Sequence, residues 1–349
     1  DRFHMIGLFR ALNDVNPNAR NVVLTVLEGP SFGAKCFLSN GKLVWETADG
    51  FFSAHADAVR GIAKGDRYTI DGQCVWAELL GNEKKFVICG GGHISMPLIQ
   101  MIRMLDCPVT VLEDREEYAE NARQAGATQV ICSDFADGLA QIEGDADTFF
   151  IIVTRAHQYD KICLASIVGK PHAYIGMIGS KRRVAIQKQL LIEEGYDAAV
   201  INSVYSPIGL DIGAETPEEI AIAIMAQIIQ VRSASGRNSS YPKELLRAVV
   251  GHDGSVAKEP MVLSTIVLRN GSVPREVGTK MLVRRDSFVG TIGGGYAENE
   301  ILCKARSLME QGPFAPQLFH VDLSTKEAME KGMLCGGKMD VLLEWVDQD

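Results

Sequence analysis

Two glycine-rich stretches carry the residues best suited to hold an anion: ICGGGHIS at 88–95 and GTIGGGYAE at 290–298. Glycines let backbone amides face a ligand, and a helix starting directly afterwards adds free N–H groups and a partial positive charge. In KFVICGGGHISMPLIQMI a strand-like run enters Gly90-x-Gly92-x-x-Ser95 and leaves as a helix-like segment, the context that a dinucleotide loop requires. Gly90 permits the tight turn and Gly92 lets the backbone approach a pyrophosphate. About twenty residues on, at the end of the next strand-like run, Glu113 and Asp114 are the acids placed for ribose hydroxyls, and Asp114 is the chosen one. His93 lies in the loop and His157 follows a strand-like run in VTRAHQYD; proton transfer, metal ligation and ordinary loop hydrogen bonding all suit them. Arg155 and the cluster Ser180-Lys181-Arg182-Arg183 also follow strand-like runs and could meet phosphates, or the cluster could simply start a solvated helix.

The second stretch has the same strand-to-helix context, so Gly293, Gly294 and Gly295 could offer amides to an anion. Glu298 and Glu300 in the first helical turn compete for that terminus, which favours a ligand larger than bare phosphate. Arg275, Lys280, Arg284 and Arg285 are close in sequence. Further on, LCGGK sets Cys335 between Leu334 and Gly336-Gly337. A thiol there could be a soft metal ligand or a sulfur carrier; a sharp turn with an incidental cysteine is the equal alternative.

Strands and helices must alternate to position the first loop. From Lys84 to Arg232, the apolar runs KFVIC, PVTVLED, TQVICSD, TFFIIVT and AYIGMIG are each followed by a helix-like segment. Runs apolar throughout suit strands buried on both faces, which predicts an α/β fold with a doubly wound, Rossmann-like parallel sheet. Thr216, Pro217 and Glu219 form a capping-box start for the long helix that closes this domain. Residues 83–232 are thus read as the Rossmann-like domain, 233–258 as a linker, and 259–349 as a smaller α+β domain. In that last domain Ile301, Leu302, Ala305, Leu308 and Met309 share one helix face and KMDVLLEWV is a strand. Residues 1–82 read as an α+β domain that repeats it in degenerate form, with Gly33-Ala34-Lys35-Cys36-Phe37-Leu38 laid on Gly278-Thr279-Lys280-Met281-Leu282-Val283. The glutamate strands 72–79 and 337–344 also correspond. The first copy has neither a triple glycine nor Cys-Gly-Gly.

A chain of 349 residues calls for two or three domains, and 46% hydrophobic with 23% charged residues is the composition of a soluble globular protein. The net charge of −9 argues against a nucleic-acid partner. No apolar run approaches the ~20 residues of a membrane span, and the first residues lack a signal peptide's apolar core, so the expected compartment is cytoplasmic. None of the eight cysteines has C-x-x-C spacing, which argues for reduced thiols and against a zinc knuckle, a disulfide framework or an iron–sulfur protein.

SVPREVGTKMLV, GTIGGGYAE and LCGGKMDVLLE resemble the cofactor-handling half of the XdhC/CoxI family, the accessory proteins of molybdenum hydroxylases such as xanthine dehydrogenase. VICGGGHIS, VTRAHQYD, YIGMIGSKRR and PIGLDIGAETPEEIAIAI resemble that family's Rossmann half. The family commonly places the cofactor half first and carries a Gly-Ala-Gly-His loop, whereas here the better-matched copy comes last and the loop has Gly91 and Ser95. The resemblance implies a factor that binds molybdenum cofactor (molybdopterin), protects it during sulfuration and delivers it to the apo-hydroxylase, with a cysteine desulfurase as sulfur donor. It assigns Pro274, Arg275, Gly278, Gly293, Gly294, Gly295, Glu298, Gly336 and Gly337 to cofactor handling, with Cys335 approaching the molybdenum or relaying sulfur. Gly90, Gly92, His93 and Asp114 fall in the nucleotide site. An NAD(P)-dependent oxidoreductase is the alternative function, and a homodimer is the expected assembly.

Overall fold

The computed structural model describes residues 5–16, 19–81, 83–235, 241–251, 259–271, 275–323 and 337–346. The chain divides into two compact units, one formed by residues 82–236 and the other by 1–81 together with 237–349.

The 82–236 unit is the α/β part. Its elements are β6 (Lys85–Cys89), α4 (Ser95–Met104), β7 (Val109–Glu113), α5 (Glu116–Gln124), β8 (Gln129–Cys132), α6 (Phe135–Ala140), β9 (Thr148–Ile152), α7 (His157–Ile167), β10 (Tyr174–Met177), α8 (Lys181–Glu193), α9 (Ala198–Ser203) and α10 (Pro217–Ala234), following the five strands and three helices of the first part of the chain. The sheet order is β10-β9-β6-β7-β8 with every neighbouring pair parallel, a doubly wound Rossmann-like sheet. The central strands β6 and β9 are buried on both faces, because one core packs Leu98, Ile102 and Ile224 of α4 and α10 on one side. Phe135, Leu164 and Leu191 of α6, α7 and α8 fill the core on the other. The capping box forms: Thr216 Oγ1 accepts from the Glu219 amide at 3.2 Å, and the Glu219 carboxylate accepts from the Thr216 amide at 3.1 Å. Order reverses between β6 and β9, and at that switch point both glycine-loop and β9-loop residues emerge at the carboxyl ends of the strands.

The other unit holds two antiparallel sheets. The first is preceded by α1 (Ile6–Asn13) and is made of β1 (Asn21–Glu28), β2 (Lys35–Ser39), β3 (Lys42–Glu46), β4 (Asp66–Ile70) and β5 (Gln73–Leu79), with the short helices α2 (Phe51–Ala54) and α3 (Ala56–Arg60). The second is preceded by α11 (Lys243–Val249) and is made of β11 (Met261–Asn270), β12 (Lys280–Val283), β13 (Phe288–Gly290), β14 (Gln317–Asp322) and β15 (Lys338–Val346), with α12 (Gly295–Glu310). Strand order is β3-β2-β1-β5-β4 in one and β13-β12-β11-β15-β14 in the other. Each sheet packs one face on its own helices: Phe52 and Val59 under β1 and β2, Ile301, Ala305 and Leu308 under β11 and β12.

The stretch read as a linker contains α11. Its Leu245, Leu246 and Val249 are buried, so the small polar composition of 233–240 does not extend to PKELLRAV, which is amphipathic.

Candidate functional site

The first glycine loop is shaped by contacts that favour glycine at Gly90 and at Gly91, where a Cβ would lie 2.9 Å from the Tyr118 carbonyl oxygen. Gly90 has φ +111°, and a Cβ there would lie 2.5 Å from the carbonyl oxygen of Val153, which directly follows the neighbouring β9. Gly92 faces open space, with nothing within 4 Å of where a Cβ would stand. Ser95 is fully buried and donates its hydroxyl to the Gly90 carbonyl at 2.6 Å, so the position where Gly or Ala is usual closes the loop by a hydrogen bond. The Gly91 amide is already satisfied, donating to Glu113 Oε2 at 2.7 Å.

The two acids at the end of β7 have separate tasks. Glu113 is buried and, besides Gly91, accepts from the Arg115 side chain at 2.9 Å. Asp114 is partly exposed and held by Arg155 in a two-pronged pair, Nη2 to Oδ2 at 2.8 Å with a second bond from Nη1. The Arg155 guanidinium pulls the Asp114 carboxyl down to about 2. Both Asp114 carboxylate oxygens, the expected ribose acceptors, are thus engaged by Arg155. His93 is exposed in the loop.

His157 opens α7 and its Nε2 lies 2.9 Å from Arg183 Nη1, which ties this histidine to the start of α8 and the SKRR cluster. Behind it Asp160 is buried, accepts from Thr154 Oγ1 at 2.5 Å and lies 3.7 Å from His157 Nδ1. Burial pushes the Asp160 carboxyl up to about 6, against the Thr154 hydrogen bonds that lower it. Asp160 stands within VTRAHQYD, yet the motif alone assigns it no role; its spacing of three from His157 on a helix was the available signal. Among the described residues no group of three His, Cys, Asp or Glu side chains is arranged to hold a metal ion.

The second glycine loop joins β13 to α12. Gly294 is the N-cap with φ +71°, and a Cβ there would meet nothing within 4 Å. One carboxylate oxygen organises the loop: Glu298 Oε2 accepts from the Ile292 amide at 3.2 Å, from the Gly294 amide at 3.1 Å and from the Thr291 hydroxyl. The Gly293 amide turns to Thr291 Oγ1 at 3.1 Å. Glu298 is thus bonded inward, and the competition expected from it takes the form of a resident carboxylate on the loop's own donors. Both glycine loops share this device, Glu113 serving the first and Glu298 the second.

Residues 86–228 match the XdhC Rossmann domain, and residues 255–322 match the XdhC and CoxI family. The chain belongs to the XdhC and CoxI family. It is 29% identical over 148 residues to a Bacillus subtilis protein described as a probable xanthine dehydrogenase subunit, covering 42% of this chain and 43% of that protein. It is 28% identical over 160 residues to the uncharacterized protein YqeB of Escherichia coli, covering 46% of this chain and 29% of that one. The aligned regions thus span less than half the length of these curated relatives. A solved Bacillus halodurans structure described as a xanthine dehydrogenase is 24% identical, with a TM-score of 0.46 and coverage of 66% of this chain and 63% of that one.

Of the positions to which XdhC/CoxI resemblance points in the second half, Gly293, Gly294, Gly295 and Glu298 come together at the start of α12. Gly278 is placed elsewhere in the same sheet, its amide bonded to the Ile266 carbonyl at 2.8 Å beside the β11 bulge. Gly337 precedes β15 and its carbonyl accepts from Leu323 at 2.9 Å. Arg275 is exposed. Pro274, Cys335 and Gly336 lie outside the described residues. Of the basic residues close in sequence, Lys280 is fully buried and paired with Glu78, which removes it from any ligand at the loop. Arg284 is engaged by Glu259 at 3.1 Å and by the Ala248 carbonyl at 2.7 Å, leaving Arg285 exposed.

Proposed function

We propose that this chain acts in the maturation of a xanthine dehydrogenase-type molybdenum hydroxylase, binding molybdenum cofactor at the second glycine loop while its terminal sulfido ligand is installed, and passing it to the client. Membership of the XdhC and CoxI family supports the maturation role. The observation that carries the binding reading is the open backbone at Gly294, a helix N-cap with nothing within 4 Å of its missing side chain. The residues fit such a group through the open face at Gly294, while Glu298 and Thr291 hold the Ile292, Gly293 and Gly294 amides and so fix the loop's shape. When bound, the cofactor would supply the molybdenum that accepts the sulfido ligand. The chain's part is to hold the pterin at Gly293–Gly295, with Arg275 and Arg285 as exposed cations near the loop in sequence, and Cys335 is assigned to approach the metal or relay sulfur from a cysteine desulfurase.

Anaerobic titration of the purified chain with molybdenum cofactor tests this, with retained pterin read by fluorescence after oxidation. Gly294→Asp places a carboxylate in the open space, so retention by the parent chain and loss in this variant are expected. Retention undiminished in the variant, or none by the parent, would remove the cofactor from this loop.

An NAD(P)-dependent oxidoreductase is the second reading, favoured by one observation: Gly92 opens onto space at the switch point of a Rossmann-like sheet. Its ribose acceptor, Asp114, is held by Arg155.

A further inference from the structure

Residue by residue, the two antiparallel sheets of the second unit are the same object. Thr25 pairs with Lys35 on one side and Trp76 on the other; Thr265 pairs with Lys280 and Leu342 in the same way. Val23 faces Glu78 as Leu263 faces Glu344. A bulge interrupts β1 between Val26 and Glu28, and the matching one interrupts β11 between Ile266 and Leu268. The correspondence thus makes Lys35 the counterpart of Lys280, and Glu78 the counterpart of Glu344.

The ion pairs run crosswise between these counterparts. Lys35 Nζ meets Glu344 Oε2 at 3.1 Å, and Lys280 Nζ meets Glu78 Oε1 at 2.5 Å, with all four side chains no more than 2% exposed. Each copy gives its lysine to the other copy's glutamate. The apolar contacts are reciprocal too: Leu27 and Trp76 cluster with Val267 and Leu342, and α1 and α11 share a core under both sheets. A contact set in which residue i meets j and the counterpart of j meets the counterpart of i is the signature of a two-fold, self-complementary interface between identical protomers.

We propose that residues 1–81 are a built-in partner: they cover, within one chain, the face through which a second copy of the 260–346 domain would otherwise pair, so the chain needs no homodimer through that face. The two copies differ where chemistry would differ. By register, Gly290 corresponds to Glu46, so Thr291 corresponds to Thr47 and Gly294 to Gly50, both of the latter N-caps with positive φ. Gly293 corresponds to Asp49, whose carboxylate accepts from Thr47 Oγ1 at 2.9 Å. The first copy keeps the turn and fills it with an acid, leaving the glycine loop to the second copy. Buried ion pairs contribute little net stability but strongly penalise a wrong partner, which suits a device that fixes which face meets which.

Charge reversal in the full chain tests whether the pairing is made in cis. Lys35→Glu and Glu344→Lys should each lower the unfolding midpoint by about 10 °C, since each sets like charges together in a buried site. Both reversals in one chain should recover most of that loss. Mixing the two single variants should recover nothing, because each chain keeps its own mismatch; recovery on mixing would show pairing between chains and overturn the proposal. Should the single variants fail to fold, the parent chain still decides. A midpoint unchanged over a 100-fold range of concentration, with a double-reversal variant that melts in the same way, supports pairing in cis. A midpoint rising with concentration in the parent and in the double-reversal variant alike places the pair between chains.

Discussion

If Glu298 is a resident carboxylate on an anion-accepting loop, removing its charge without changing its shape should tighten binding. Glu298→Gln is the suitable change, because all three bonds converge on one oxygen, which the amide carbonyl of glutamine can replace. Hydrogen bonds to a charged acceptor exceed neutral ones by about 1–1.5 kcal/mol each, so the loop loses at most about 3–4.5 kcal/mol. An anionic group seated on the loop about 5 Å from the carboxylate is repelled by about 1 kcal/mol in water-like surroundings and about 3 kcal/mol at an effective dielectric constant of ~20. Relief of that repulsion corresponds to binding roughly 5- to 100-fold tighter. The assay is the anaerobic titration with molybdenum cofactor, repeated at low and at physiological salt, with the gain expected to shrink as screening increases. Equal or weaker binding by Glu298→Gln at low salt, in a variant that still melts cooperatively, would refute the reasoning and make the carboxylate itself a contact of the ligand.

Two predictions concern the Rossmann-like unit. Arg155→Ala frees the Asp114 carboxylate, so NAD(P) affinity should rise on the order of 10-fold by equilibrium titration, and absence of nucleotide binding in both parent and variant removes the oxidoreductase reading. Asp160 is pushed up to about 6 in the folded chain, so between roughly pH 4 and pH 6 the folded state holds a proton that the unfolded state has released, and stability falls as pH rises through that window. Asp160→Asn should flatten this part of a denaturant-midpoint profile against pH, and an unchanged slope would show that another group produces it.

Local and periodic features were readable in the sequence. The apolar runs of β6 and β9 are buried on both faces, and that condition leaves a direct mark on composition. The Thr216–Glu219 capping box lies within four consecutive residues, and the first glycine loop is recognisable because strand, loop and helix are contiguous. Lys35 could be laid beside Lys280 because both sit at one place in a repeated strand pattern. Helix α11 is hidden in the sequence because seven residues beside a polar stretch leave a weak periodic signal, and its burial depends on α1 from the far end of the chain.

What the sequence determined by itself is the set of chemical groups and the elements that carry them: two glycine loops at strand-to-helix junctions, acids after β7, a lysine and a glutamate in each sheet copy. Tertiary structure decided how those groups are paired. It turned Glu298 and Glu113 inward onto loop amides and closed Arg155 over Asp114. It sent Lys280, close in sequence to the second loop, to a glutamate 202 residues away. The physical reason is that a side chain's partner is set by burial: once an amide, an ammonium or a carboxylate leaves water it must be paired, and the available partner is fixed by packing rather than by distance along the chain.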